Sequence, residues 1–220
     1  MRIRVTFTKT GALIYIGNLD LYTLWERAAR RARLPLSYSQ GFHPQPKIHF
    51  AAPLPLGYAS QCEVLDMRLN EDLECAELRD RFNGALPDGV RVLNVEAVED
   101  GAPAVQTQVT FADYTVILND AAAAKDLVDS IKSMLAAKEL PRERRGKRYD
   151  LRPLIESLEV RPTPAGEAKM LTMRLMAQEG ATGRPDEVLE ALGIRRSEAR
   201  IERTALHFKP PSSAIPALRG

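Results

Sequence analysis

Residues 37–57, SYSQGFHPQPKIHFAAPLPLG, carry two of the chain's three histidines and a lysine between two glycines. Pro44, Pro46, Pro53 and Pro55 stiffen the segment. Each fixes its own φ and steers the preceding residue toward extended geometry. A chain so restrained has little conformational entropy left to lose, so its polar side chains can be held ready for a ligand. In that setting His43 is a proton donor or acceptor near neutral pH. Lys47 is a holder of phosphate or carboxylate, and Gln40 a group that orients a ligand. The same side chains have a plainer use in satisfying the loop's own backbone. His49, between Ile48 and Phe50 on an extended stretch, reads as the more structural of the two histidines.

A second set of candidates is the run Arg142, Arg144, Arg145, Lys147, Arg148 and Arg152, interrupted by Glu143 and Asp150: six cations against two carboxylates, a local excess of four. At the tip of a hairpin such a run can follow a phosphate backbone, with Tyr149 available to stack on a base. Charge runs also serve as solvated loops. Asp150 and Arg152 share parity on an extended chain and are candidates to pair. A third set is Arg27, Arg30 and Arg31, spaced so as to share one helix face, with Arg33 extending the charge. Asp20 and Glu26 offset part of it.

Several chemistries are missing. The sequence has no P-loop, no GxGxxG after a strand, no GxSxG and no HExxH. Its two cysteines, Cys62 and Cys75, lack CxxC spacing. They form neither a disulfide framework nor the three-cysteine set of a radical enzyme's iron–sulfur cofactor. No metal and no cofactor are expected, and any catalysis would fall to His43, His49, Lys47 or Tyr38, with His43 and Lys47 the first candidates. The formal net charge of +2 sets up no global field, so any affinity for polyanions is local. No apolar run reaches the roughly 18 residues of a membrane span. The two lone cysteines point to a reducing, cytoplasmic setting.

These residues need elements to position them. Alternation places strands near 3–7, 47–51, 65–69 and 93–97. A helix capped by Asn18 runs to Leu34-Pro35, and a second is capped by Asn70 with Leu73, Ala76 and Phe82 inward. Asp100–Pro103 reads as a linker. The second round has strands near 114–118, 155–160, 171–175 and 201–208. One of its helices follows a cap at Asn119 or Asp120. The other begins at Pro185 and leaves at Gly193. The expected fold is α+β, two ferredoxin-like β-α-β-β-α-β units in tandem: 1–100 with the proline-rich loop, 104–208 with the basic hairpin 141–152, and a loose tail 209–220.

Phe7-Thr8-Lys9-Thr10-Gly11, Asn18-Leu19-Asp20-Leu21, Gly41 to Ile48, Pro53 to Gly57, and Tyr149 to Ile155 together resemble the bacterial radical-SAM-linked family of unknown function. The resemblance covers nearly the whole chain. It departs before Leu19, where Gly17-Asn18 stands in place of Ser-His. Members of that family are encoded beside or fused to radical SAM proteins, often near genes for RNA and ribosome biology. The resemblance therefore implies a separately encoded radical SAM protein as partner, and RNA as a ligand. The expected function is that of an accessory protein, not itself an enzyme, that binds RNA or an anionic substrate through Lys47, the basic hairpin and the first-helix arginines. The rival readings are a metal-independent RNA-processing enzyme with His43 as base, and a protein–protein scaffold without RNA binding.

Overall fold

The computed structural model describes residues 1–118, 127–144, 146–162 and 169–210. The expected caps at Asn119 or Asp120, the turn at 163–166, Arg145 and the tail beyond Pro210 lie outside them.

The chain is α+β, built on one nine-stranded, mostly antiparallel sheet. Its first half runs β1 (Arg2–Lys9), α1 (Asn18–Arg31), β2 (Ile48–Phe50), β3 (Ala59–Arg68), α2 (Cys75–Ala85) and β4 (Val90–Val98). A short α3 (Val105–Gln108) leads into β5 (Val109–Leu118), followed by α4 (Leu127–Ala136). Next comes a separate hairpin of β6 (Pro141–Arg144) and β7 (Lys147–Asp150). Then follow β8 (Ile155–Pro162), β9 (Lys169–Gln178), β10 (Ala181–Thr182), α5 (Pro185–Ala191) and β11 (Ala199–Phe208). Pairing gives β4-β1-β3-β2 in the first half and β11-β5-β9-β8 in the second. Setting aside α3, the inserted hairpin and β10, each half thus has the expected β-α-β-β-α-β succession. The halves meet edge to edge where β11 runs parallel to the start of β3, with Glu202 opposite Ala59 and Arg203 opposite Ser60. Among the described residues no helix is long and apolar enough to cross a membrane.

Strict alternation in β1 buries Ile3, Val5 and Phe7 beneath α1 and α2. Trp25 of α1 sits edge-on between Phe7, 4.8 Å away, and Phe82, 5.4 Å away. Each such pair adds about 0.5–1.5 kcal/mol beyond area burial. In the second half Ala112, Tyr114, Val116 and Leu118 of β5 take the same role beneath α4 and α5.

Several boundaries differ from expectation for local reasons. Asn18 is the first residue of α1 rather than its cap; the Gly17 amide instead donates to the Asp20 carboxylate at 3.4 Å. The stop is not at Pro35. Arg33 adopts φ 53°, Leu34 N–H donates to Ala29, and Arg33 N–H donates to Arg30, closing a Schellman turn. Asn70 donates to the Leu36 carbonyl, so α2 starts at Cys75, and Ala76 is exposed while Leu78 is buried. In β4 the register slips between Thr6 and Phe7 of its neighbour. That bulge turns Leu93 outward, 47% exposed, and buries Val92 and Val95.

Candidate anion-binding cleft

The proline-rich segment is pinned at both ends. The Tyr22 hydroxyl donates to the Pro46 carbonyl at 2.5 Å. The Lys47 amide donates to Ser37, and the Arg68 amide to the Lys47 carbonyl. At the far end Arg196 donates to the Gly57 carbonyl at 2.8 Å and lies over the Tyr58 ring.

Between these ends is Arg203, which the sequence reading missed. It is 2% exposed and comes from β11, in the other half. Its guanidinium donates to Glu63 at 2.9 Å, to the Ala52 carbonyl at 3.2 Å, to the Pro53 carbonyl at 2.8 Å, and to the Tyr114 hydroxyl. Burial opposes its charge, but Glu63 and Tyr114 more than offset that, and the net effect raises its pKa. Lys9, 1% exposed, lies close by and donates to the Ile16 carbonyl. Burial lowers its pKa, against the pull of Glu63. Burial first, then the nearby Glu63 carboxylate, pushes the Cys62 thiol up to about 11, so it is not a poised nucleophile. Glu63 pairs opposite Phe7 and Arg203 opposite Tyr114. Both halves therefore keep their helices on the same side of the sheet.

The face opposite α1, α2, α4 and α5, on which the short α3 packs, carries the open site. Arg2 and Arg4 converge on Asp66, at 2.6 and 2.8 Å. Arg2 also donates to the carbonyls of Ala102 and Pro103, drawing the linker across this face. Beside them is a cavity of about 280 Å³ lined by Arg2, Lys47, His49, Asp66, Arg68 and Gln106. It holds three permanent cations against one carboxylate. Arg68 is paired with Asp100 at 2.9 Å, whereas Lys47 has no ion-pair partner among the described residues.

Neighbouring cavities share some of its lining residues. His49 and Gln106 also line a cavity of about 400 Å³ between the halves, formed by Phe50–Pro53, Tyr114, Ala177–Glu179, Thr182 and Arg203. Thr182 in turn lines a third cavity, of about 470 Å³, together with Arg144, Lys147 and Tyr149 of the hairpin. Common lining residues thus place these cavities in succession between Lys47 and the hairpin cations.

The other expected site residues fall elsewhere. Gln40 and His43 are exposed on the tongue closed by the Tyr38–Pro46 bridge, and His43 lines none of these cavities. Arg27 is exposed on α1. Arg30 is held by Glu26 and Tyr38. Arg31 donates to the Ala85 carbonyl at the end of α2, a capping task that offsets the helix dipole. Arg152 likewise donates to the carbonyls of Leu135 and Ile155. The Asp150 carboxylate accepts backbone amides from Leu140 and Arg152, so the two side chains do not pair with each other. Tyr149 is half-buried against the second-half core. Burial and the Glu187 carboxylate raise its phenol well above the usual range. Arg144 faces Glu187 and Arg148 faces Glu143, each at a loose 3.9 Å. Lys147 has no such partner among the described residues.

A distinct cluster lies farther along the same face, where Arg174 forks onto Asp113 at 2.7 and 2.9 Å and His207 Nε2 meets Asp113 at 2.9 Å.

No curated protein matches the sequence. A chain in the "Crystal Structure of a Cbf5-Nop10-Gar1 Complex" superposes with a TM-score of 0.49 at 10% identity, over 93% of this chain and 48% of that one. The present chain thus spans about half of that chain's length, and a likeness of that degree says nothing of function. A family model matches residues 2–185, from the strand that carries Arg2 through the hairpin to the first residue of α5, and by that match the chain belongs to the family described as "Uncharacterized protein conserved in bacteria (DUF2344)".

Proposed function

We propose that this protein is an accessory binding protein that holds single-stranded RNA, or a substrate carried on it, along the neighbouring cavities between Lys47 and the basic hairpin. It presents that ligand to a separately encoded radical SAM enzyme. The observation that carries the reading is the succession of neighbouring cavities: His49 and Gln106 line both the Lys47 cavity and the cleft between the halves, and Thr182 lines both that cleft and the cavity of Arg144 and Lys147. A row of neighbouring cavities with cations at both ends suits a flexible polyanion better than a compact one. Phosphates would sit at Lys47 and Lys147, which spend no charge on internal partners among the described residues. The partner rests on the resemblance in the loop and hairpin motifs.

The reading is tested by titrating the protein with single-stranded RNA across a salt series. Wild type should bind with a salt slope set by counterion release, about 0.7 per neutralised phosphate on a single strand. Lys47→Glu and Lys147→Glu should each weaken binding across all sequences and flatten that slope. Absence of RNA affinity, or affinity indifferent to salt and to both substitutions, removes the RNA reading. Co-purification with the radical SAM protein, together with full complex activity in both lysine variants, would favour a scaffold instead.

A further inference from the structure

The cations of the Lys47 cavity stand in a row across adjacent backbones. Arg2 of β1 is directly opposite Arg68 of β3, and the Arg68 amide donates to the Lys47 carbonyl. Three cations from three segments thus come side by side, and all three line the cavity. Two residues along, on the same face, the next row is Arg4, Asp66 and His49, with Asp66 opposite Arg4 on one side and His49 on the other. Like charges directly opposite one another on a sheet are destabilising, so the first row is a cost that an anion among its members would relieve.

The one carboxylate in the lining is already taken. Asp66 is buried and accepts from both Arg2 and Arg4. Arg2 spends further N–H groups on the Ala102 and Pro103 carbonyls. Arg68 meets Asp100, but those two side chains are 38% and 76% exposed, and exposed pairs contribute little. Arg68 can therefore exchange that partner for a better anion at small cost. Among the described residues Lys47 has no ion-pair partner, and the exposed His49 ring makes no hydrogen bond. Three cations against one carboxylate leave the lining a surplus of two positive charges.

Size and lining narrow the choice of anion. At about 280 Å³ this is the smallest of the three cavities in succession, and it stands at one end of them. It falls just under the roughly 300–1,000 Å³ of sites that enclose a drug-sized guest. The rest of its lining brings no further charge and no Phe, Tyr or Trp ring on which a base could stack. Ala102 and Ala104 of the linker border it, drawn over the sheet by Arg2. A small cationic space at the end of a row suits a phosphate at the end of a strand. An internal phosphodiester carries a single charge, whereas a phosphate monoester carries roughly 1.5–2 at pH 7 and offers three acceptor oxygens, which matches the surplus of the lining.

We infer that the Lys47 cavity receives the terminal phosphate monoester of the bound strand, with Lys47 and Arg68 on its oxygens and His49 as a further donor. This rests on the RNA-binding reading above and deepens it: the ligand is held by a phosphorylated end.

The test uses one RNA sequence, labelled internally, carrying a 5′-phosphate, a 3′-phosphate or hydroxyls at both ends, with binding followed by fluorescence anisotropy. One phosphorylated form should bind wild type at least about tenfold more tightly than the hydroxyl form, the effect of one hydrogen bond to a charged group. Lys47→Gln and Arg68→Gln should each bring the forms to within about threefold of one another. Lys147→Glu, in the hairpin, should weaken all three and keep their ratio. Equal affinities in wild type, with the salt slope retained, overturn the end-phosphate inference alone and leave the RNA reading standing. A preference untouched by both Lys47→Gln and Arg68→Gln overturns the assignment to this cavity. Inorganic phosphate that competes as well as the phosphorylated strand would assign the cavity to the free ion and overturn the strand end. No affinity for any of the three oligonucleotides overturns the RNA reading and the inference with it.

Discussion

Asp113 shows how a surface carboxylate acquires a structural role that spacing alone does not announce. Burial favours its neutral form, but the hydrogen bonds from Arg174 and His207 prevail and hold its pKa below the ordinary 3.8. A carboxyl with a depressed folded pKa contributes stability above its unfolded value, and that contribution is lost as the pH falls through the folded value. The acid limb of a stability–pH curve should therefore be shallower below about pH 3.8 in Asp113→Asn than in wild type, measured as urea midpoints from pH 2 to 6. Superimposable acid limbs would remove Asp113 from the account. Other single residues illustrate the limit of reading charge from a string. Arg31 and Arg152 look like solvent-facing cations by sequence. Both donate to carbonyls at helix ends, where the last carbonyls of a helix lack an intrahelical partner. Lys47 stands out in the sequence because the prolines around it leave few backbone states, and it lines a cavity. Arg203 does not stand out, because its role depends on three segments far from it in the chain.

At the scale of elements, periodicity located almost every strand and helix, while ends and faces were set by bulges and turns. The inserted hairpin is where the basic run predicts one, yet Tyr149 within it faces the core, since its ring finds apolar neighbours in the second half. Gly89, in the turn leading to β4, is the clearest point at which an element depends on one residue. Its φ is +95°, and a Cβ there would lie 2.6 Å from the Thr10 carbonyl oxygen. That oxygen's residue is itself tied back, its amide donating to Gly89 at 2.7 Å. Gly89→Ala should cost about 1–3 kcal/mol through left-handed strain and displacement of this contact. Gly84→Ala, inside α2 with nothing near the new methyl group, should stabilise by about 0.5–1 kcal/mol as a helix-favouring change. Chemical denaturation of both variants checks the pair, and the account fails if they share a sign.

At the scale of the molecule, the two halves are one structure because a single sheet runs through both and because Arg203 and Glu63 close a buried ion pair across their seam. Removing one partner of such a pair strands the other's charge in the interior. Arg203→Met should therefore destabilise by about 3–5 kcal/mol, with much of the loss regained when Glu63→Gln is added. Equilibrium unfolding of the single and double variants measures this. A loss under about 1 kcal/mol in the single variant would mean that the seam is held by the strands alone. The same substitution frees the Ala52 and Pro53 carbonyls, so it should also loosen the wall of the cleft and weaken oligonucleotide binding at that site.

The amino-acid sequence alone determined the α+β class, the order of elements in each half, the stiff proline-braced segment and the local excess of cations in the hairpin. All of these follow from interactions among residues close in the chain, namely alternation, helical spacing and restricted φ. Only the tertiary structure decided that β11 docks beside β3, that Arg203 anchors the proline segment from the opposite half, and that residues as far apart in the chain as Lys47, Gln106 and Thr182 line neighbouring cavities. Those facts depend on which strand edges find each other and on which buried charge finds its counter-ion. Both are set by packing over more than a hundred residues of separation, and local pattern carries no record of them.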